Sequence, residues 1–185
     1  MPDIRVASGL FDSVRDWNSS MAQIFDLNVL EMFGSDWLLD AAIMMIERTH
    51  RVENLATDEL AAMLAGPEPP ILFDIRTREE YEESRIATAV RLDPDTGSDA
   101  FAARYGSLVA GRDIVFYCSV GQRSTELLER VESACGKART RSCRNLRGGI
   151  FRWYNKGRPV VNASGLTDDI HGYDPIWGMM VERRR

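Results

Sequence analysis

Apolar residues recur at helical spacing near the start of the chain: Leu10, Phe11, Val14, Trp17, Met21, Ile24 and Phe25 form one stripe. Gly34 breaks the rhythm, and Ser35-Asp36 can cap a second helix through about Arg48. The predicted buried side of that helix is Trp37, Leu38, Ala41, Ala42, Met45 and Ile46. Two helices alone bury little apolar surface. The stripes therefore predict either docking on the rest of the chain or a homodimer interface through residues 10–47.

From about Thr49 the pattern changes to short apolar runs alternating with helical stretches. Thr57-Asp58-Glu59 opens a helix ending near Gly66, and Ile71–Ile75 is a buried-type strand. Thr77-Arg78-Glu79-Glu80 is a capping box for the next helix. Ala89–Leu92 predicts a strand, Ala100–Val109 a helix, and Asp113–Tyr117 another buried strand followed by a helix from Ser124. A strand near Arg141–Leu146 and a helix from Gly148-Gly149 to Tyr154 complete the series. Such alternation predicts an α/β fold, a central parallel sheet flanked by helices. The predicted organisation is a helical extension (1–47), one α/β domain (48–163) and an irregular tail (164–185).

Charge changes the picture in one place. The chain carries a net −5, yet Ser133–Arg158 holds eight basic residues and no acid. That stretch predicts either positive potential around a site for small anions or a solvated basic face. Nucleic acid is not an expected partner, since the chain as a whole is acidic and lacks a basic-aromatic platform. The longest apolar stretch, Trp37–Ile46, is interrupted by Asp40 and is too short to span a bilayer. The opening residues lack the pattern of a signal peptide, so the expected location is the cytoplasm, with Cys118, Cys135 and Cys143 as free thiols. His50 and His171 lack metal-ligand spacing, and neither a metal nor an organic cofactor is expected.

Cys118-Ser119-Val120-Gly121-Gln122-Arg123 carries the chemistry. It joins the Asp113–Tyr117 strand to the Ser124 helix, so backbone N–H groups of the helix N-terminus face the turn. That environment and Arg123 favour a thiolate at Cys118, making it the candidate nucleophile. Cys135 and Cys143 read as packing residues, with a sulfur relay through Cys135 open only if it reached the loop. The acidic cluster Glu79, Glu80, Glu82 and Glu83 reads as a solvated helix face.

These residues resemble the rhodanese superfamily of sulfurtransferases over roughly residues 49–161. Leu72–Arg76 with Glu79-Glu80-Tyr81 is similar to the family's Asp-x-Arg and Glu-Tyr segment. Val115–Cys118 with Gly121, Arg123 and Ser124 is similar to its active-site loop, and Asn145–Ile150 with Trp153 and Gly157–Val160 to its closing signature. A six-residue loop implies, in this family, a pocket sized for sulfur. Related phosphatases and arsenate reductases have one residue more and are the less favoured reading. The resemblance implies a bacterial-type, cytoplasmic, single-domain enzyme. It would move sulfane sulfur from thiosulfate or a persulfide to a thiol or protein acceptor through a Cys118 persulfide. Ser119, Val120, Gly121, Gln122 and Ser124 would form the substrate-binding loop. Arg123 would contact a donor oxyanion or brace the loop, and Asp74 and Arg76 would support it. The rival from another class is a non-catalytic binding or regulatory module using the N-terminal helices. Two departures stand out. The family's Gly-His-Ile-Pro-Gly-Ala turn is replaced by Ser84-Arg85-Ile86-Ala87-Thr88-Ala89. Ser119 stands where thiosulfate-using members often carry a basic residue. His171–Gly178 is similar to an ending seen in some bacterial single-domain members.

Overall fold

The computed structural model describes residues 27–173 and 175–182. The stripe from Leu10 to Phe25 and the arginines Arg183–Arg185 lie outside the described residues.

Helix α1 (Leu27–Thr49) has non-helical backbone at Gly34, where the sequence rhythm breaks. Its buried face is Leu38, Leu39, Ala42, Ile43 and Ile46, which join the main core with Ile150 and Trp153. Trp37, expected inside, is 41 % exposed, and Met44 is 51 % exposed. Helical periodicity was read correctly, but the inward direction is turned by about one residue. Of the two fates predicted for this helix, docking on the chain's own domain is the one observed for its 38–46 face.

The rest alternates: β1 (Asn54–Leu55), α2 (Thr57–Leu64), β2 (Ile71–Asp74), α3 (Arg78–Glu83), β3 (Val90–Arg91), α4 (Ser98–Val109), β4 (Asp113–Tyr117), α5 (Gln122–Lys137), β5 (Ser142–Leu146) and α6 (Gly149–Asn155). The five strands pair in parallel in the order β1-β5-β4-β2-β3. One face of the sheet packs with Leu72, Val115, Tyr117 and Leu146 against α1, α2 and α6. The other packs Phe73, Ile114 and Phe116 against Phe101 and Tyr105 of α4 and Leu127, Leu128 and Val131 of α5. β4 is central, and its C-terminal end, where Cys118 follows, lies among the ends of its parallel neighbours.

The tail is more ordered than the sequence suggests. β6 (Val160–Asn162) and β7 (Gly165–Thr167) form an antiparallel hairpin, and α7 (Pro175–Gly178) is a single turn. Trp177 and Met180 are buried in the main core. The turn after α3 lacks the family's glycine. Thr88 takes that place with φ 68° in the left-handed region, while Arg85 bridges to Val161.

Candidate active site

Cys118 ends β4 with 1 % of its surface exposed, and the N–H of Gly121 donates to its Sγ at 3.2 Å. Gly121 turns the chain at φ 112°, so the loop enters α5 directly. Behind the loop, the first N–H groups of α6 hold it by its carbonyls. Ile150 N–H donates to the Cys118 carbonyl at 2.9 Å and Phe151 N–H to that of Ser119 at 3.0 Å. Only glycine permits this approach: a Cβ on Gly149 would lie 2.4 Å from the Cys118 carbonyl oxygen and 2.5 Å from that of Ser119. The Gly148-Gly149 pair thus shapes the loop from a distant point in the sequence.

From the β5 side a buried polar chain anchors the helix start. Ser124 Oγ donates to Asn145 Oδ1 at 2.7 Å, and Asn145 Nδ2 donates to Asn54 Oδ1 at 2.8 Å. Ser124 therefore faces the sheet and not the mouth of the loop. Val120 is buried, and the Gln122 side chain turns outward to donate to Glu126 Oε1 at 2.6 Å, beside His50.

Glu80 is the residue the sequence reading missed. Expected on a solvated face, it is 1 % exposed. It receives Arg123 Nη1 at 2.9 Å and Nη2 at 2.8 Å, a two-pronged ion pair, and also Ser119 Oγ at 2.9 Å. Arg123 Nη2 donates in addition to Ser119 Oγ at 2.9 Å. The signal was the capping box. The carboxylate of Glu80 accepts Thr77 N–H at 2.9 Å, which ties it to the start of α3 and points it inward. Burial alone would raise the Glu80 pKa, but hydrogen bonds and charge from Arg123, with the Thr77 N–H, hold it down to about 2. Burial likewise opposes the charge on Arg123, and its hydrogen bonds to Glu80 keep it firmly protonated. The outer face of the guanidinium lies 4.7 Å from the ring centroid of Tyr173, so the C-terminal segment covers it. Of the two roles open to Arg123, bracing matches this arrangement.

Asp74 and Arg76 form a separate, fully buried pair. Arg76 Nη2 lies 2.7 Å from Asp74 Oδ2, and Arg76 Nη2 also donates to the Ser84 carbonyl at 2.5 Å. Desolvation disfavours the Arg76 charge, but Asp74 outweighs it and holds the guanidinium protonated. Through Ser84 the pair fixes the turn that follows α3.

The basic stretch is largely engaged in ion pairs with acids from other elements. Arg141 pairs with Glu68 and Asp113, Arg147 with Glu47, Arg152 with Asp36 and Asp40, and Lys156 and Arg158 with Asp58. Acids of earlier elements supply these partners, and α1 is clamped to the domain in the process. No helix among the described residues is long and apolar enough to cross a membrane. Among them, no cluster of three or more His, Cys, Asp or Glu side chains suits a metal ion.

Comparison with known proteins agrees with this architecture. The rhodanese-like domain family model matches residues 56–156, more than half of the chain. The chain belongs to the rhodanese-like family. It is 32 % identical over 115 residues to a protein of Allochromatium vinosum named sulfurtransferase, spanning 62 % of this chain and 99 % of that one. Among solved structures, the fold is shared with a thiosulfate sulfurtransferase from Pseudomonas aeruginosa. The TM-score is 0.52 and the identity 18 %, over 73 % of this chain but only 25 % of that larger one. A rhodanese-related protein from Thermoplasma volcanium aligns over 59 % of this chain and 97 % of its own, with TM-score 0.46 and 18 % identity. The Glu-Tyr segment that resembles the family's is where the inward Glu80 sits.

Proposed function

We propose that this rhodanese-like protein is a sulfurtransferase that carries sulfane sulfur as a persulfide on Cys118. The observation that carries the reading is the setting of that thiol. It ends the central strand inside a six-residue loop, with a backbone N–H on its sulfur, in a chain of this family. The thiolate attacks the outer sulfur of a donor R–S–SH. The donor S–S bond breaks, R–S⁻ departs, and Cys118–S–SH forms. An acceptor thiolate then attacks the terminal sulfur, takes it as a new persulfide and returns the Cys118 thiolate. Two displacements on one nucleophile give ping-pong kinetics. The Gly121 N–H, already directed at Sγ, would stabilise the anionic sulfur during both steps.

The electrostatics favour a low-molecular-weight or protein persulfide over thiosulfate as donor. Thiosulfate brings a dianionic end, but Arg123 is already neutralised by Glu80, and Ser119 adds no cation. The test is intact-protein mass spectrometry of the full chain and Cys118→Ser after exposure to glutathione persulfide or thiosulfate. The expected result is a gain of one sulfur atom from the persulfide in wild type only, with a weaker gain from thiosulfate. No adduct from either donor would overturn the reading and favour a binding module; phosphate-ester turnover without an adduct would favour phosphatase chemistry.

A further inference from the structure

Two further thiols, both outside the Cys118 loop, meet at the opposite end of α5. Cys135 lies in the last turns of that helix and Cys143 near the start of β5, with Sγ atoms 3.0 Å apart and no bond between them. Gln122 and Cys135 are thirteen residues apart on one helix, about 20 Å at 1.5 Å per residue. At that distance Cys135 does not reach the loop, so the condition for a sulfur relay through it is not met and the pair is chemically independent of Cys118.

We propose that Cys135 and Cys143 form a second, redox-active dithiol site, which closes to an intramolecular disulfide on reaction with a small hydroperoxide. Three features carry this. A disulfide requires sulfurs about 2 Å apart, so from 3.0 Å closure asks for an approach of about 1 Å. The pair lines a pocket of about 250 Å³ with Arg51, Glu129, Glu132 and Thr140, giving a small oxidant a way in; Cys143 is half-buried beside the nearly covered Cys135. The two thiols also assist one another. The S–H of Cys143 donates to Cys135, which eases ionisation of Cys135 against the opposing effects of burial and Glu132, while Cys143 is held protonated.

The chemistry is a two-electron oxidation of the pair. The Cys135 thiolate attacks the terminal oxygen of ROOH, the O–O bond breaks, and Cys135–SOH forms with release of ROH after protonation. The Cys143 sulfur then attacks the sulfenyl sulfur and loses its proton, and the sulfenic oxygen leaves as water. Both thiols are oxidised, and the hydroperoxide is reduced to an alcohol and water. For hydrogen peroxide both products are water.

Hydrogen peroxide is the probe, applied to the full chain, to Cys118→Ser and to Cys143→Ala. After oxidation, trypsin cuts at Arg130, Lys137, Arg141 and Arg144, so Val131–Lys137 and Ser142–Arg144 remain joined only through a disulfide. The expected result is loss of two hydrogens with this linked pair in wild type and in Cys118→Ser, reversed by a dithiol reductant. Cys143→Ala is expected to stop at a Cys135 sulfenic acid that dimedone traps. Cross-links from Cys118 to either thiol would overturn the proposal. So would Cys135 and Cys143 that stay alkylatable at a peroxide dose that oxidises Cys118. None of these readouts involves sulfur transfer, so the assignment stands or falls separately from that of Cys118.

Discussion

Replacing Glu80 by Gln tests the central claim about how the Cys118 loop is held. The substitution keeps the size and one acceptor oxygen but removes the charge that faces Arg123, whose side chain is 15 % exposed. Removing one partner of a buried pair leaves a charge without compensation and costs about 3–5 kcal/mol. The ionisation of Glu80 gives an independent figure. Its pKa falls from 4.5 to about 2 on folding, and at 1.36 kcal/mol per unit this corresponds to about 3 kcal/mol of stability at neutral pH. Because the folded-state value is depressed, this stability is fully present above about pH 4.5 and is lost as pH falls through about 2. Urea unfolding followed by tryptophan fluorescence is therefore expected to show Glu80→Gln less stable by about 3 kcal/mol at pH 7. The gap to wild type should be visibly narrower at pH 3, where the wild type has begun to lose the same contribution. The variant also leaves a net positive charge beside Ser119, so its sulfur loading from thiosulfate relative to a persulfide is expected to rise. Equal stabilities at pH 7, or a gap that does not change with pH, would refute the argument that Glu80 is ionised and paired in the folded protein.

Other perturbations follow from the same geometry. Gly149→Ala puts a Cβ onto the carbonyls of Cys118 and Ser119; thermal unfolding is expected to show a loss of about 3 kcal/mol or more, together with impaired persulfide loading. Thr88→Gly relieves a β-branched residue at φ 68° on the surface and should raise stability by about 1 kcal/mol in chemical unfolding, with loading unchanged. Asp74→Asn strands the buried Arg76 charge and is expected to cost about 3–5 kcal/mol by the same assay. Deleting residues 1–47 removes Leu38, Leu39, Ile43 and Ile46 from the core and should unfold the domain, whereas deleting 1–33 should leave it folded. Light scattering on the full chain and on the shorter deletion tests the part of the homodimer expectation carried by residues 10–33: a two-chain mass that falls to one chain on deletion is the expected result if that stripe forms the interface.

The sequence by itself determined the alternating elements, the parallel sheet and the position of Cys118. Those features are local: buried strands read as apolar runs, helices announce themselves by caps and spacing, and a strand-loop-helix keeps its thiol at the strand end. Tertiary structure alone decided the electrostatics. Glu80 has the same charge as Glu79, Glu82 and Glu83; the capping box ties it to the start of α3, and the packing of α3 against the loop brings it to Arg123. For the basic stretch from Ser133 to Arg158 the sequence leaves open either a positive field or a solvated basic face, because its acids lie far away in sequence, on α1, α2 and the segments between elements. Folding brings acids within ion-pair distance of six of the eight basic side chains. The meeting of Cys135 with Cys143, and the cover of Tyr173 over Arg123, depend likewise on where α5 ends and where the tail crosses. Periodicity reports which face of an element is apolar, but which charge meets which is a property of three-dimensional distance, and one-dimensional spacing does not carry it.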